Sequence, residues 1–440
     1  MDIDVLSCTS AGTDAADGAN ADQVCRVDVP FRVFSPSYYR NLTQLYTRIG
    51  IAFERADYNS TYCTLDGEKQ QPFFTYCNVH LFGQSIPVLY GRHLWSWSFV
   101  TLMRDAYHFF KKAPRDLHEG KLDAMSFGEY LESEHFSDIF AQQVLLPAMS
   151  VMCTCTYDSM RAYPADLVVY CLTTRMGDGV RRVVGGNSEI ARRLAQHCKD
   201  VRCGTAIKSV RSAPDGKHVV VEDVSGSTST FDHVIMSTQA NQALRLVTDA
   251  SEGERAALGA FDYESSRVIV HSDPACMPTD VSTWASVNFF VDAGKDMPMA
   301  TIWLNGVQRG LENARNVFQT WNPLVEPAKD TILSEATFQR PVMNARACQG
   351  IEDLRKVQGL RNIWFCGSYA RYAVPLLENG LSSAIEVCGR LGVDCPWTPL
   401  YHEDHPPPRK RRFLSHIERT AKAVLIAGTF YGLHRIAGAK

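Results

Sequence analysis

The stretch that most constrains this 440-residue chain is NIWFCGSYARYAVPLLENGLSSAIEVCGRLG, residues 362–392. Ile363, Trp364, Phe365 and Cys366 form the unbroken apolar run that a strand buried on both faces requires. Gly367 ends it where another group can approach the backbone closely. After a loop, Asn379 is placed to cap a helix whose Leu381, Ala384, Ile385, Cys388 and Leu391 form one apolar stripe, with Gly392 placed to close it. Such a strand, loop and helix point to an α/β class. The helix start offers free N–H groups and partial positive charge beside a small-residue turn, which suits an electron-rich ligand oxygen. On spacing alone an ordinary βα unit with a good cap is the favoured reading, since capped helices are common.

The rest of the chain supplies about two to three domain-sized units. RVDVPFRVFSPSYYRNLTQLYTRIGIAF, from Arg26, reads as a strand, a Ser-Pro turn and a helix with Leu42, Leu45, Tyr46 and Ile49 on one face. From Leu81 to about Thr173 the period is mostly helical. RRVVGGNSEIARRLAQHC predicts a short apolar stretch, a Gly-Gly turn and a capped helix. His218–Val224 and Phe231–Ser237 predict two strands of a hairpin or meander, and 263–342 carries short aromatic strands. Residues 1–25, acidic and without a Lys or Arg before Arg26, predict a mobile segment. HPPPRKRR at 405–412 predicts a boundary.

Net charge is −3, with +5 on residues 401–440 and −8 on the remainder, so no chain-wide field captures nucleic acid. The 14 cysteines include no C-x-x-C, and Cys153 and Cys155 alone cannot complete a zinc site. Without a secretory leader pattern, reduced thiols and an intracellular, cytoplasmic location are expected, and the Asn41 and Asn59 sequons carry no meaning.

The 362–392 segment resembles the C-terminal FAD-binding element of the flavin-containing amine oxidase superfamily. VDVPFRVFSPSYYRNLTQLYTRIGI, SFGEYLESEHFSDIFAQQVLLPAMSVMCTCTYDSMRAYPA, RRVVGGNSEIARRLA, FDHVIMSTQANQALRLV, LGAFDYESSRVIVHSDPACMP and TWASVNFF are similar, in the same order, to the predicted NAD/FAD-binding branch associated with cyclopropane-fatty-acid synthases. The resemblance covers roughly residues 26–397. It implies a two-dinucleotide-binding-type FAD flavoprotein fold with a mixed helical and β substrate domain. FAD-side parts would fall at about 26–50, 180–250 and 360–395, and substrate-side parts at about 81–175 and 260–342. It further implies cofactor contacts at Gly367, Ser368, Asn379, Gly380, Leu381 and Ser382. A backbone contact to adenine falls near Ile207, which is otherwise plain sheet core.

The family's opening strand, G-x-G-x-x-G and helix do not occur, so the N-terminal Rossmann unit is incomplete and its sheet is expected to expose an edge. Where relatives carry Gly-Gly-His leading into Val27 and Asp28, this chain has SAGTDAADGANADQ, and the family's His before Glu-Asp-Gly is Leu377. Two explanations stand side by side: an incomplete product of a full flavoenzyme gene, or a derivative that no longer holds FAD tightly.

If flavin binds, it accepts a hydride and the protein orients substrate in an apolar chamber. Tyr38, Phe289, Trp303 and Trp321 are candidate walls, each also readable as core. His108, His135, His233 and His271 lack partner spacing, so no catalytic residue is assigned. No metal site is expected, His402 and His405 included. The expected activity is an FAD-dependent oxidoreductase acting on an apolar, lipid or terpenoid-like small molecule; the alternative is a flavin-free binding or regulatory relative. In the tail, the apolar run Ala423–Leu433 is short of the ~20 residues that span a bilayer. Residues 409–436 predict a basic helix on an anionic membrane surface, against packing on the body or disorder.

Overall fold

The computed structural model describes residues 2–7, 23–56, 58–66, 69–81, 84–90, 96–175, 179–311 and 315–401. Its largest element is an eight-stranded mixed sheet. In spatial order the strands are Ile332–Pro341, Tyr263–His271, Phe318–Trp321, Met299–Trp303, Val287–Val291, Ser60–Asp66, Lys69–Leu81 and Gln84–Tyr90. Neighbours are antiparallel except Val287–Val291 and Ser60–Asp66, which run parallel from the Val287–Ser60 pair. Ile332–Pro341 alternates half-buried with exposed residues along most of its length, as a one-faced edge strand should. On the inner face Val268, Val270, Val287, Phe289, Ile302 and Trp321 pack into one apolar cluster.

Helices from Trp97–His118 to Ala165–Arg175 form the second layer. Their starts are written in the sequence. Ser96 Oγ accepts the Phe99 N–H, and Ser126 with Glu129 completes a capping box ahead of Phe127–Ser133. Their apolar faces share a core with Arg40–Arg48 and with the strand and loop around Phe365 and Tyr369.

The third layer holds the 362–392 segment. Ile363–Phe365 pairs in parallel with Val234–Met236, and among the described residues this sheet has two strands. Beside it Ile207–Ser212, Val219–Asp223 and Thr228–Phe231 form an antiparallel meander. The Gly-Gly turn is present: Gly185 and Gly186 have φ of 83° and 69°, and the helix Gly186–Ala195 follows.

Three expectations are corrected. Residues 81–90 are not the start of the helical region, because Gln84–Tyr90 pairs antiparallel with Lys69–Leu81; short apolar runs fit either period, and the ladder decides. Phe231–Ser237 is not one strand. Thr228–Phe231 completes the hairpin with Val219–Asp223, while Val234–Met236 turns away to the Asn362–Phe365 side, where Val234 N–H bonds Asn362 O at 2.9 Å. The acidic start is ordered at both its ends: Asp2–Ser7 runs antiparallel to Gln23–Asp28 from the Asp2–Asp28 pair to the Ser7–Gln23 pair, a backbone ladder that average composition does not register. The tail expectations at 409–436 and at His402 and His405 lie outside the described residues, as do residues 8–22. Among the described residues no helix is long and apolar enough to cross a membrane.

Candidate functional site

The strand Ile363–Phe365 delivers the chain to a small-residue turn at the head of the helix Leu377–Arg390. Cys366 N–H bonds Met236 O at 3.0 Å, extending the parallel pairing by one residue. Gly367 N–H then donates to Ser383 Oγ at 2.9 Å, tying the strand end to the helix's second turn. A Cβ on Gly367 would lie 2.7 Å from the Tyr369 ring, so close approach, as expected, demands glycine here.

The helix begins three residues earlier than the spacing predicts, and Asn379 is not its cap. Leu376 occupies the N-cap without a side-chain bond, and Asn379 lies within the first turn, where its Nδ2 donates to Val374 O at 2.6 Å and Tyr38 OH at 3.3 Å. Asn379 N–H and Gly380 N–H make the first bonds back to Leu376 O. The amides of Leu377 and Glu378 precede those bonds, and of the two residues Leu377 lines the cavity. The buried face differs as well: Glu378, Asn379, Ser382, Ser383 and Val387 are buried, while the expected stripe of Leu381, Ala384, Ile385, Cys388 and Leu391 is half-buried. Polar groups are tolerated inside because each finds a partner. Glu378 accepts the N–H groups of Asn41 and Leu42, both at 2.9 Å, and so caps the helix Arg40–Arg48; Ser382 Oγ accepts from Asn41 Nδ2 at 3.2 Å. Burial raises the Glu378 pKa to about 7 against the pull of those two amides.

In front of this turn lies a cavity of about 510 Å³. One wall is Gly367, Ser368 and Gly380 with the 237–239 loop; the facing wall is the sheet, through Tyr62, Phe289, Ile302 and Trp321. Phe289 stacks on Tyr62 with ring centroids 4.7 Å apart and planes 13° from parallel. Residues 148–154 of the helical layer and 30–33 of the chain close the sides. Three lining groups are buried hydroxyls without a hydrogen-bond partner, Thr154 Oγ1, Thr238 Oγ1 and Tyr369 OH. Each such group costs about 1–3 kcal/mol unless something meets it. Thr154 is also held at φ 52°, a left-handed conformation uncommon for a β-branched residue.

Of the residues selected from the sequence, Gly367, Ser368 and Gly380 line the cavity together. Asn379 and Ser382 instead knit the helix to Tyr38 and Asn41, and Leu381 packs against the core. Ile207 starts its strand opposite Asp223, is 39% exposed and stands apart from the cavity lining. Among the candidate walls Phe289 and Trp321 are lining residues; Tyr39 takes the place expected for Tyr38, and Ile302 that for Trp303, whose indole donates to Asn316.

Among the described residues no histidine lines the cavity. His108 bonds Glu134 at 3.0 Å, and His233 accepts from the Trp364 indole at 3.4 Å. His271 is fully buried; its Nδ1 accepts Asp273 N–H, so Nε2 carries the proton donated to Thr320 Oγ1 at 2.7 Å. Burial lowers its pKa to about 4, keeping it neutral. Missed by sequence reasoning were Arg32, Arg340 and Thr154. For Arg32 a signal existed, a cation set between the apolar neighbours Phe31 and Val33.

No curated protein matches the chain by sequence. Solved structures do resemble it in fold. The CLA-producing fatty acid isomerase from P. acnes aligns with a TM-score of 0.57 at 12% identity over 84% of this chain and 88% of that one. A putrescine oxidase variant with redesigned cofactor binding aligns at 0.53 and 13%, over 85% and 90%. Cyclohexylamine oxidase from Brevibacterium oxydans aligns at 0.51 and 9%, over 82% and 87%. These likenesses establish the fold as that of FAD-dependent amine oxidase-type enzymes, with its large mixed sheet and helical layer. The profile of the flavin containing amine oxidoreductases matches residues 27–297, more than half of the sequence. The chain therefore belongs to the flavin-containing amine oxidoreductase family.

Proposed function

We propose that the protein is an FAD-dependent oxidoreductase that removes a hydride from an apolar small molecule. One observation carries this reading: the cavity has a glycine-lined, amide-bearing wall facing an aromatic and aliphatic wall. The residues present fit a flavin ring. Gly380 borders the cavity, where a Cβ would already reach contact distance of Ser368 N at 3.6 Å, and the Thr238 and Tyr369 hydroxyls are buried there without a hydrogen-bond partner. The backbone of 367–368, Gly380 and the Leu377 amide would hold it. Bound there, the flavin supplies a two-electron acceptor for the departing hydride.

The chain's own residues supply position and dryness. Tyr62, Phe289, Ile302 and Trp321 offer a flat apolar face to a substrate and keep water from the reacting carbon. Among the described residues no imidazole lines the cavity, and a substrate that needs little proton abstraction by protein suits that lining best.

Reconstitution with FAD tests the reading. The purified protein is expected to retain flavin absorbance after gel filtration, and Gly380→Phe to lose it with an unchanged far-UV spectrum. Failure of the wild type to retain flavin would replace this reading with that of a flavin-free binding protein.

A further inference from the structure

Two guanidinium groups line this cavity, and neither is held in an ion pair among the described residues. Arg32 enters from the segment after the strand Gln23–Asp28, and Arg340 from the end of Ile332–Pro341; both are lining residues. Among the described residues neither lies within ion-pair distance of an Asp or Glu. The acid opposite Arg340 in the sheet, Glu264, is committed elsewhere, accepting the Thr156 N–H and the Ser159 hydroxyl. Arg340 spends one Nη1 bond on Met152 O at 2.6 Å. Two residues beyond Met152 is Thr154, 2% exposed, with its hydroxyl unpartnered. Burial, and then the charge of Arg340, hold the Arg32 guanidinium below its ordinary pKa against the weaker opposing pull of Asp28, which places the two cations in each other's field.

Half-buried cations outside any ion pair are costly, and a planar oxyanion relieves both at once by accepting paired N–H bonds. The same field repels a protonated amine. Beyond the arginines the wall is Phe31, Val151, Phe289, Ile302 and Trp321, which suits a hydrocarbon tail.

We propose that Arg32 and Arg340, with the Thr154 hydroxyl, form an oxyanion subsite that holds the carboxylate of an apolar acid substrate. This names the substrate class of the chamber described above and rests on that reading. A cofactor phosphate offers the same chemistry, and the experiment separates the two.

Isothermal titration of the purified full-length protein with decanoate, 1-decanol, decylamine and FAD is the test, on wild type, Arg32→Gln, Arg32→Lys and Arg340→Gln. Decanoate should bind wild type about 10- to 100-fold tighter than decanol, the range for a charged hydrogen-bonded contact, with decylamine weakest. Arg32→Gln should bring decanoate to the level of decanol while leaving decanol and FAD unchanged, and Arg32→Lys should restore part of the difference. Arg340→Gln should act alike; if losing the Met152 bond unfolds it, Arg32→Gln decides. A wild-type acid-to-alcohol ratio near one, a preference for decylamine, or a ratio unchanged in Arg32→Gln overturns the proposal. So does a loss of FAD affinity with that ratio kept, which would assign the arginines to a cofactor phosphate. Acid preference without any FAD binding would sink the flavin reading and leave the subsite standing.

Discussion

Glu378 should make the protein less stable as pH rises. The residue is 5% exposed, and its carboxyl serves as the cap of the helix Arg40–Arg48, accepting two backbone N–H groups. Those bonds favour the carboxylate, burial opposes it, and burial prevails, raising the pKa to about 7. In the unfolded chain the same group titrates near its ordinary value of about 4.3. Below that value both states are protonated and the group adds no pH dependence. Between there and about 7 the native state holds the extra proton, so stability falls as pH rises and then levels off. At about 1.4 kcal/mol per unit, the loss is on the order of 3 kcal/mol. Glu378→Gln removes the titration. Urea unfolding of both proteins from pH 4.5 to 8, followed by tryptophan fluorescence, should show wild type losing about 3 kcal/mol relative to the variant across that span. A difference that stays flat, or that grows in favour of wild type with pH, would refute the reasoning by showing that the two amides outweigh burial.

His271 should act with the opposite sign. Its pKa, lowered to about 4 by burial, means stability is present above the unfolded value of about 6.5 and is lost as pH falls through 4, again by about 3 kcal/mol. The two groups therefore offset each other in the wild type between about pH 4.5 and 6.5, and Glu378→Gln should expose a steep acid lability that a His271→Gln, Glu378→Gln double variant lacks; an unaltered acid slope in the double variant would count against it. Gly186→Ala should be costly, because φ is 69° and the new Cβ would lie 2.5 Å from Asp28 Oδ1, the acceptor for Asn187 N–H. The left-handed backbone costs about 1–2 kcal/mol and the displaced charged hydrogen bond about 1.5–3 more. Gly204→Ala, at the same φ of 69° with nothing within 4 Å, should lose only the backbone part; equal losses by denaturant midpoint would remove the steric account.

The elements whose signals are local were legible beforehand. Ile363–Phe365, the close approach at Gly367, the Gly185–Gly186 turn and the closing Gly392 each follow from residue type and immediate neighbours. Asn379 shows where locality fails: a polar residue at a helix start can cap it or sit inside its first turn, and only the tertiary partners Val374 O and Tyr38 OH decide. Gln84–Tyr90 fails for a related reason, since its period is ambiguous until Lys69–Leu81 pairs with it. Arg32 alone carried a local signal, but its pairing with Arg340 was out of reach. Each lies in an apolar or alternating run, and the fold brings them to one cavity from opposite ends of the described chain. The apolar stripe of Leu377–Arg390 misled because its buried face is polar and satisfied, an arrangement periodicity scores as solvent.

Asn41, 1% exposed, works as a clasp. Its Nδ2 donates to Ser382 Oγ and to Leu400 O, and its Oδ1 accepts the Trp397 indole at 3.1 Å and the Leu400 N–H at 3.1 Å. One amide thus fastens the strap at 397–400 across two helices. Since Asn-Leu-Thr is a glycan acceptor pattern, a sugar placed on that nitrogen before the chain closes would leave the strap undone, so for this molecule oligosaccharide attachment at Asn41 and completion of the fold exclude each other.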